Sequence, residues 1–320
     1  LESLQNIADA CVHCGKCREN CAFLDKYEMD LGDVTKLQDH IYGCFLCGNC
    51  DRVCPAGISG RQLFQNLRRM QVRDGKLEEK PYSFVLKEKK DYKFRNYRNA
   101  TVGRVLFPGC NFPSMFPKSN RKIVDLCKAK GIGTVYDCCG KPIAELGLYR
   151  DEERIINRIC RELESRDIDE VITTCPNCYY FLKERIPQKV RSIYEVLPEL
   201  VPEISVPEGI EIQIPCPDRT DREWYDGICK LLGYEPAVTA AEQCCGLGGM
   251  ASAEEPELAK KFGGGLTSSG LRNTSFCASC AGQYARNGKE IRHVLSLLLG
   301  TDEAPATKTS YLNRVKTKYK

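Results

Sequence analysis

The sequence predicts a mixed fold, α+β and α/β taken together: a mostly helical N-terminal domain followed by two copies of one α/β lobe. Three observations predict it. Cysteine is used far beyond the needs of a core, at 21 of 320 residues against only 3 His. One four-cysteine run occurs twice before residue 55, and from Cys110 onward a different five-cysteine unit also occurs twice. Short β-rich runs alternate with helix-period segments across that second region.

The N-terminal runs are Cys11-x-x-Cys14-x-x-Cys17-x-x-x-Cys21 and Cys44-x-x-Cys47-x-x-Cys50-x-x-x-Cys54-Pro55. This is the spacing of two-cluster ferredoxin domains, in which the fourth Cys of each run serves the other cubane. Cys11, Cys14, Cys17 and Cys54 are therefore expected to bind one cubane 4Fe-4S cluster, and Cys44, Cys47, Cys50 and Cys21 the second. Gly15, Gly43 and Gly48 let the backbone curl and aim amides at sulfur. Zinc is the competing reading for C-x-x-C pairs, but ribbons place a long gap between two such pairs, and these runs do not. His13 and His40 read as surface or hydrogen-bonding residues, since each cubane already has four thiolates. Helical character surrounds the second run, at Leu31–Ile41 and at Ser59–Met70. In the latter, Leu63, Phe64, Leu67 and Met70 form one apolar stripe.

Lys76 to Arg98 is basic and carries Tyr82, Phe84, Tyr92, Phe94 and Tyr97. Its acids dilute the charge, so it reads as a solvated connector rather than a nucleic-acid surface. Beyond it, Cys110 is followed after 27 residues by Cys138-Cys139-Gly140 and after 35 more by Cys175-Pro-Asn-Cys178. Cys216 is followed after 27 residues by Cys244-Cys245-Gly246 and after 31 more by Cys277-Ala-Ser-Cys280. Strands are expected at Thr101–Phe107, Thr134–Tyr136, Glu170–Thr173 and Glu211–Ile214. Helices are expected at Lys122–Lys130, Asp151–Ser165, Tyr179–Arg185, Glu223–Leu232 and Glu257–Phe262. Cysteines then fall at the carboxyl ends of strands, where open α/β sheets place their sites. Cys127, Cys160 and Cys229, in helix-like segments, read as small buried residues. The chain divides into residues 1–75, a linker 76–100, lobes 101–205 and 206–300, and a basic tail 301–320, the last read as disordered.

Five thiolates exceed the four that a cubane or a structural zinc uses, and a vicinal pair suits neighbouring metals in a less symmetric cluster. A vicinal disulfide is the alternative. The unit Cys, gap, Cys-Cys-Gly, gap, Cys-x-x-Cys resembles the cysteine-rich CCG domain of the heterodisulfide reductase catalytic-subunit family, here fused to a two-cluster ferredoxin-like domain. The resemblance spans Cys11 to Leu299. It implies two non-cubane 4Fe-4S clusters, one on Cys110, Cys138, Cys139, Cys175 and Cys178, the other on Cys216, Cys244, Cys245, Cys277 and Cys280. It also implies reduction of a disulfide, or oxidation of the thiol pair, between them. Where relatives often carry a His after the first Cys of the second unit, this chain has Pro217 and Asp218. His293 matches another frequent His and is the candidate catalytic proton donor; a histidine satisfied on an amphipathic helix is the other reading.

The expected protein is a cytoplasmic, oxygen-sensitive oxidoreductase that exchanges electrons with a flavoprotein or a membrane cytochrome b. It would associate with the membrane only through that partner, and it would not bind nucleic acid. The alternative is an electron-transfer subunit between a flavoprotein dehydrogenase and a quinone or cytochrome, with no substrate of its own. The segment Leu1–Ala10 has no basic and apolar leader pattern, and no apolar run reaches a membrane span. Gly246-Leu-Gly-Gly249 lacks the dinucleotide-binding register, so electrons must come from elsewhere. Lys141 and Arg219, beside cluster cysteines, read as surface charges or as steering groups for an anionic substrate.

Overall fold

A computed structural model describes residues 9–201, 203–239, 243–267 and 269–319; the leader reading at residues 1–8 and the last residue of the basic tail, Lys320, lie outside these. The expected fold class holds. Strands β1 (Asn96–Asn99), β2 (Gly103–Phe107), β3 (Gly133–Tyr136), β4 (Ile168–Thr173) and β5 (Lys189–Ser192) form one sheet in the order β1-β3-β2-β4-β5. Strands β6 (Ile210–Gln213), β7 (Ala237–Val238), β8 (Arg272–Ser275) and β9 (Arg292–His293) form a second sheet in the order β7-β6-β8-β9. Apart from β1, which runs antiparallel to β3, all neighbours are parallel. The two sheets thus repeat one strand order, as the repeated cysteine spacing requires.

Apart from β2, which follows β1 directly, the parallel strands are preceded by helices. Tyr149–Glu164 buries Ile155, Ile159 and Leu163 at helical spacing and exposes its charges. Ser192 and Glu195 close a capping box at the start of Ile193–Leu200, which fixes where β5 stops. The two lobes share a continuous apolar core with Trp224 at the seam. Its ring meets Tyr194 at 5.4 Å, Tyr179 at 5.7 Å and Phe276 at 6.2 Å between centroids.

The N-terminal domain has its own small core under the helix Gly60–Arg73, where Leu63, Phe64 and Leu67 are buried as expected. The Ser59 hydroxyl caps that helix by accepting from the Gln62 amide at 3.2 Å. The helical character expected at Leu31–Ile41 resolves into a short α-helix, Val34–Leu37, running into a 3-10 helix, Gln38–Gly43.

Three local expectations are corrected. The basic run after Lys76 is not a solvated connector: it forms the helix Ser83–Lys89 and edge strand β1, and buries Tyr82, Leu86, Tyr92, Phe94 and Tyr97. Its aromatics supply the apolar surface, while its charges reach acids of the first lobe, such as Lys90 to Asp151 at 3.4 Å. The tail forms the helix Ser310–Thr317, docked through Asn313, which donates to the Ser114 carbonyl at 3.1 Å. His293, which one reading places on an amphipathic helix, ends strand β9 and precedes a short helix, Val294–Leu298. Among the described residues no helix is long and apolar enough to cross a membrane.

Candidate metal centres

The four cysteines Cys11, Cys14, Cys17 and Cys54 line one small pocket, so the fold joins the end of the second run to the first run. Cys14 is exposed at its rim. Cys11, His13 and Asp30 gather there with ligand atoms within 4.8 Å, and His13 Nδ1 lies 2.8 Å from Asp30 Oδ2. Cys21 joins Cys44, Cys47 and Cys50. Burial, helped by Cys44, Asp51, Cys21 and Cys47 around it, pushes the Cys50 thiol far up. Gly15 and Gly48 have φ of 74° and 69°, as a tight curl needs. Amides reach sulfur from Leu46, to Cys44, and from Ile58, to Cys54, each at 3.4 Å.

In the lobes the cysteines follow the strand ends. Cys110 comes after β2, Cys138 and Cys139 after β3, and Cys175 after β4; Cys216, Cys244, Cys245 and Cys277 repeat this after β6, β7 and β8. The glycines after the vicinal pairs, Gly140 and Gly246, have φ of 93° and 81°. A Cβ on Gly246 would sit 2.5 Å from the Ala259 carbonyl, so the turn that presents the pair admits no side chain. Buried carboxylates hold these loops. Asp137 accepts from the Cys138 amide at 2.7 Å, from Tyr97 at 3.0 Å and from Arg158 at 2.9 Å. Asp218 accepts from the amides of Trp224 and Tyr225 at 2.9 Å each.

Each set brings its sulfurs within proton-sharing reach. Donation from Cys138, and then from Cys178, lowers Cys139 to about 5. Donation from Cys244 lowers Cys216 to about 5, and donation from Cys280 lowers Cys277. A buried thiol alone would stay protonated; gathered thiols yield the thiolates that bind soft metals. All 21 cysteines are unpaired thiols, including both vicinal pairs. Cys127 is fully buried in the core, as expected, whereas Cys160 and Cys229 are only half-buried.

The sets also meet one another. Donation from Cys244 lowers Cys47 to about 7, which places a sulfur of the N-terminal domain against the vicinal pair of the second lobe. Gln243 Nε2 lies 3.5 Å from both Cys21 and Cys47 sulfurs, while its Oε1 accepts from the Ala22 amide at 2.9 Å. Arg61 donates to the carbonyls of Cys47 at 3.2 Å and Cys216 at 3.3 Å. Across the lobe seam, Asn177 Nδ2 lies 3.5 Å from the Cys277 sulfur, and Asn111 donates to Ser279 at 2.6 Å. Arg219, Arg61 and Lys141 surround Cys216 with positive charge, so Lys141 and Arg219 are parts of the site's electrostatics rather than stray surface charges.

Sequence reasoning missed several residues here. Arg68 is wholly buried and donates to the carbonyls of Ile41 at 3.1 Å and of Cys44, Glu145 and Gly249 at 2.7 Å each. Tyr284, one turn beyond Cys280, faces Cys245, Cys280, Cys216 and Cys244, and its buried hydroxyl has no partner among the described residues. A polar residue on an apolar stripe was the available signal for both.

His293 is fully buried and edge-on to Phe112 and Phe116 at 4.9 and 5.0 Å. Its Nδ1 accepts from the Leu295 amide at 3.2 Å, capping the helix Val294–Leu298. Burial lowers it from 6.5 to about 3. Its Nε2 is buried with no hydrogen-bond partner among the described residues, and of the two readings left open by the sequence this geometry supports a structural helix cap. The unfolded chain binds a proton below about pH 6.5 that the folded chain refuses, so stability is lost as pH falls through that window toward 3. Between about pH 7.5 and about pH 5.5 the loss is about 1.4 kcal/mol. Urea midpoints over that range are expected to flatten in His293→Asn, which retains a capping oxygen; an unchanged slope would assign the acid sensitivity elsewhere.

Comparison with known proteins finds matches over the cysteine-bearing regions. Residues 7–58 match the 4Fe-4S dicluster domain, and residues 105–183 and 218–268 match the cysteine-rich domain CCG. An uncharacterised iron-sulfur protein of Methanocaldococcus jannaschii is 26% identical over 273 residues, covering 75% of this chain and 55% of that protein. One subunit of the fumarate reductase (CoM/CoB) of Methanothermobacter marburgensis is 23% identical over 308 residues, covering 79% of this chain and 61% of that protein. One subunit of the dihydromethanophenazine:CoB–CoM heterodisulfide reductase of Methanosarcina mazei is 23% identical over 279 residues, covering 72% of this chain and 68% of that protein. The chain spans little more than half the length of the first of these relatives.

Proposed function

Since this chain is an iron-sulfur protein that joins a 4Fe-4S dicluster domain to a duplicated cysteine-rich CCG domain, we propose that it is a heterodisulfide-reductase-like oxidoreductase. It would reduce a small disulfide, or oxidise the corresponding thiol pair, and exchange electrons with a partner subunit, either a flavoprotein or a membrane cytochrome b. The observation that carries this reading is that both lobes retain a complete five-sulfur set and that the two sets approach one another across the lobe seam through Asn177 and Cys277. A copy kept only for folding has no need of its thiols.

The donor sets fit iron-sulfur clusters: gathered, proton-sharing sulfurs with amides and cations around them. In this reading Cys11, Cys14, Cys17 and Cys54 hold one cubane and Cys21, Cys44, Cys47 and Cys50 the other, while the two five-cysteine sets hold non-cubane four-iron clusters. Bound there, these groups would supply one-electron transfer. The chain's own residues would connect the sets. Cys14 at the surface marks the end that a partner can approach, and Gln243 and Arg61 tie the second cubane set to the second lobe. Relatives named as subunits of reductases support the need for a partner.

The test is iron per chain in protein purified without oxygen. Four four-iron clusters predict roughly sixteen irons, and two predict roughly eight. An anaerobic assay of small disulfides against quinone analogues then follows. Turnover of the disulfide supports the reductase; turnover of the quinone analogue alone assigns the chain to electron transfer without its own substrate.

A further inference from the structure

The first five-cysteine set is closed by residues from outside its own lobe. Lys89 ends the helix Ser83–Lys89, and Arg314 lies on the helix Ser310–Thr317, 225 positions further along the chain. Both side chains are largely buried; Lys89 faces Cys110 and Cys138, and Arg314 faces Cys110. Between them lies the carboxylate of Glu88, 2.7 Å from Lys89 Nζ and 2.7 Å from Arg314 Nη1. Arg314 Nη2 donates to Asn111 Oδ1, next to Cys110, at 2.9 Å. Tyr92, Phe94 and Val315 pack around Cys110 and Cys138 and keep water away from the charges.

Two cations and one carboxylate leave a net positive charge buried against two sulfurs. Arg314 Nε is also buried with no hydrogen-bond partner among the described residues. Buried charge without compensation is costly, so this surplus implies a negative group at the sulfurs. A cluster on thiolates is such a group, and positive charge beside it favours the added electron.

Resting on the reading that this set holds a four-iron cluster, we propose that Lys89, Arg314 and Glu88 form a charge triad that sets its reduction potential. The C-terminal helix is thereby part of the first lobe's redox site rather than an appendage. These are positioning residues: they act on the bound group through charge and do not ligate it. The triad predicts opposite signs within one structure. Removing either cation lowers the potential; removing the carboxylate raises it.

The experiment is a titration with dithionite of the full chain, assembled and kept without oxygen, followed by paramagnetic resonance. The first-lobe signal is identified by its loss in Cys138→Ser. Lys89→Gln and Arg314→Gln are each expected to shift its one-electron equilibrium about tenfold toward the oxidised form, about 59 mV downward. Glu88→Gln is expected to shift it upward, Arg314→Lys to restore most of the wild-type value, and the second-lobe signal to stay in place. Should Lys89→Gln and Arg314→Gln lose iron, Glu88→Gln and Arg314→Lys still carry the sign test. Shifts of one sign in all variants, or no shift with about sixteen irons present, overturn the triad alone. A wild-type chain with only about eight irons overturns the functional reading, and the triad with it.

Discussion

Arg68→Ala is expected to cost at least about 3–5 kcal/mol, enough to leave a chain of ordinary stability largely unfolded. The guanidinium is wholly buried and gathers carbonyls from three places. Ile41 and Cys44 belong to the N-terminal domain, Glu145 to the first lobe and Gly249 to the second. Alanine would strand all four acceptors without water, and each unmet buried group carries its full desolvation penalty. Cys44 is also a candidate cluster ligand, so the same change should loosen the second cubane set. Arg68→Lys retains the charge but cannot span the fork, and an intermediate loss is expected. Anaerobic urea unfolding, with limited proteolysis at the 41–46 and 247–250 loops, measures both. A loss below about 1 kcal/mol would mean that the three units hold together without this side chain.

The second large effect is expected at the lobe seam. Trp224 is buried to 1% exposure, is the single tryptophan of the chain, and meets aromatic rings from both lobes. Trp224→Ala should cost about 3–5 kcal/mol through lost transfer energy and the cavity left behind, and Trp224→Phe considerably less. Because the two cysteine sets approach one another across this seam, the alanine variant should also blur their relative placement. Circular dichroism on heating follows the stability of both variants. In the wild type, a single fluorescence transition of this one tryptophan should coincide with it. If the alanine variant melts like the wild type, the lobes are held by other contacts.

The legibility of the sequence varied with the kind of feature. The cysteine sets were readable because metal chemistry demands particular residues at particular spacings, and few other pressures produce the 27-residue gap twice. The strands β2, β3, β4 and β6 were readable because they are short, β-branched and buried. Strand β8 was not: Arg272-Asn-Thr-Ser275 is polar, and it is a strand only because β6 and β9 pair with it on either side. The basic run and the tail misled for a related reason. Their charges read as solvated, yet Lys89 and Arg314 are buried beside Cys110, which neither segment contains. Burial of a charge is decided by what it meets, and a linear pattern carries no record of that.

What the sequence determined alone was therefore local and chemical: which residues can bind metal, that one lobe is built twice, and which segments alternate between sheet and helix. The tertiary structure decided everything that depends on separation in space. It set Cys47 against Cys244 and brought Lys89 and the C-terminal helix together at Cys110. It also made Arg68 the joint of three units and His293 a helix cap. The physical reason is one of range. Ligand spacing and backbone propensity act over a few residues, whereas desolvation, charge compensation and ring packing act between whichever groups the fold brings within a few ångströms.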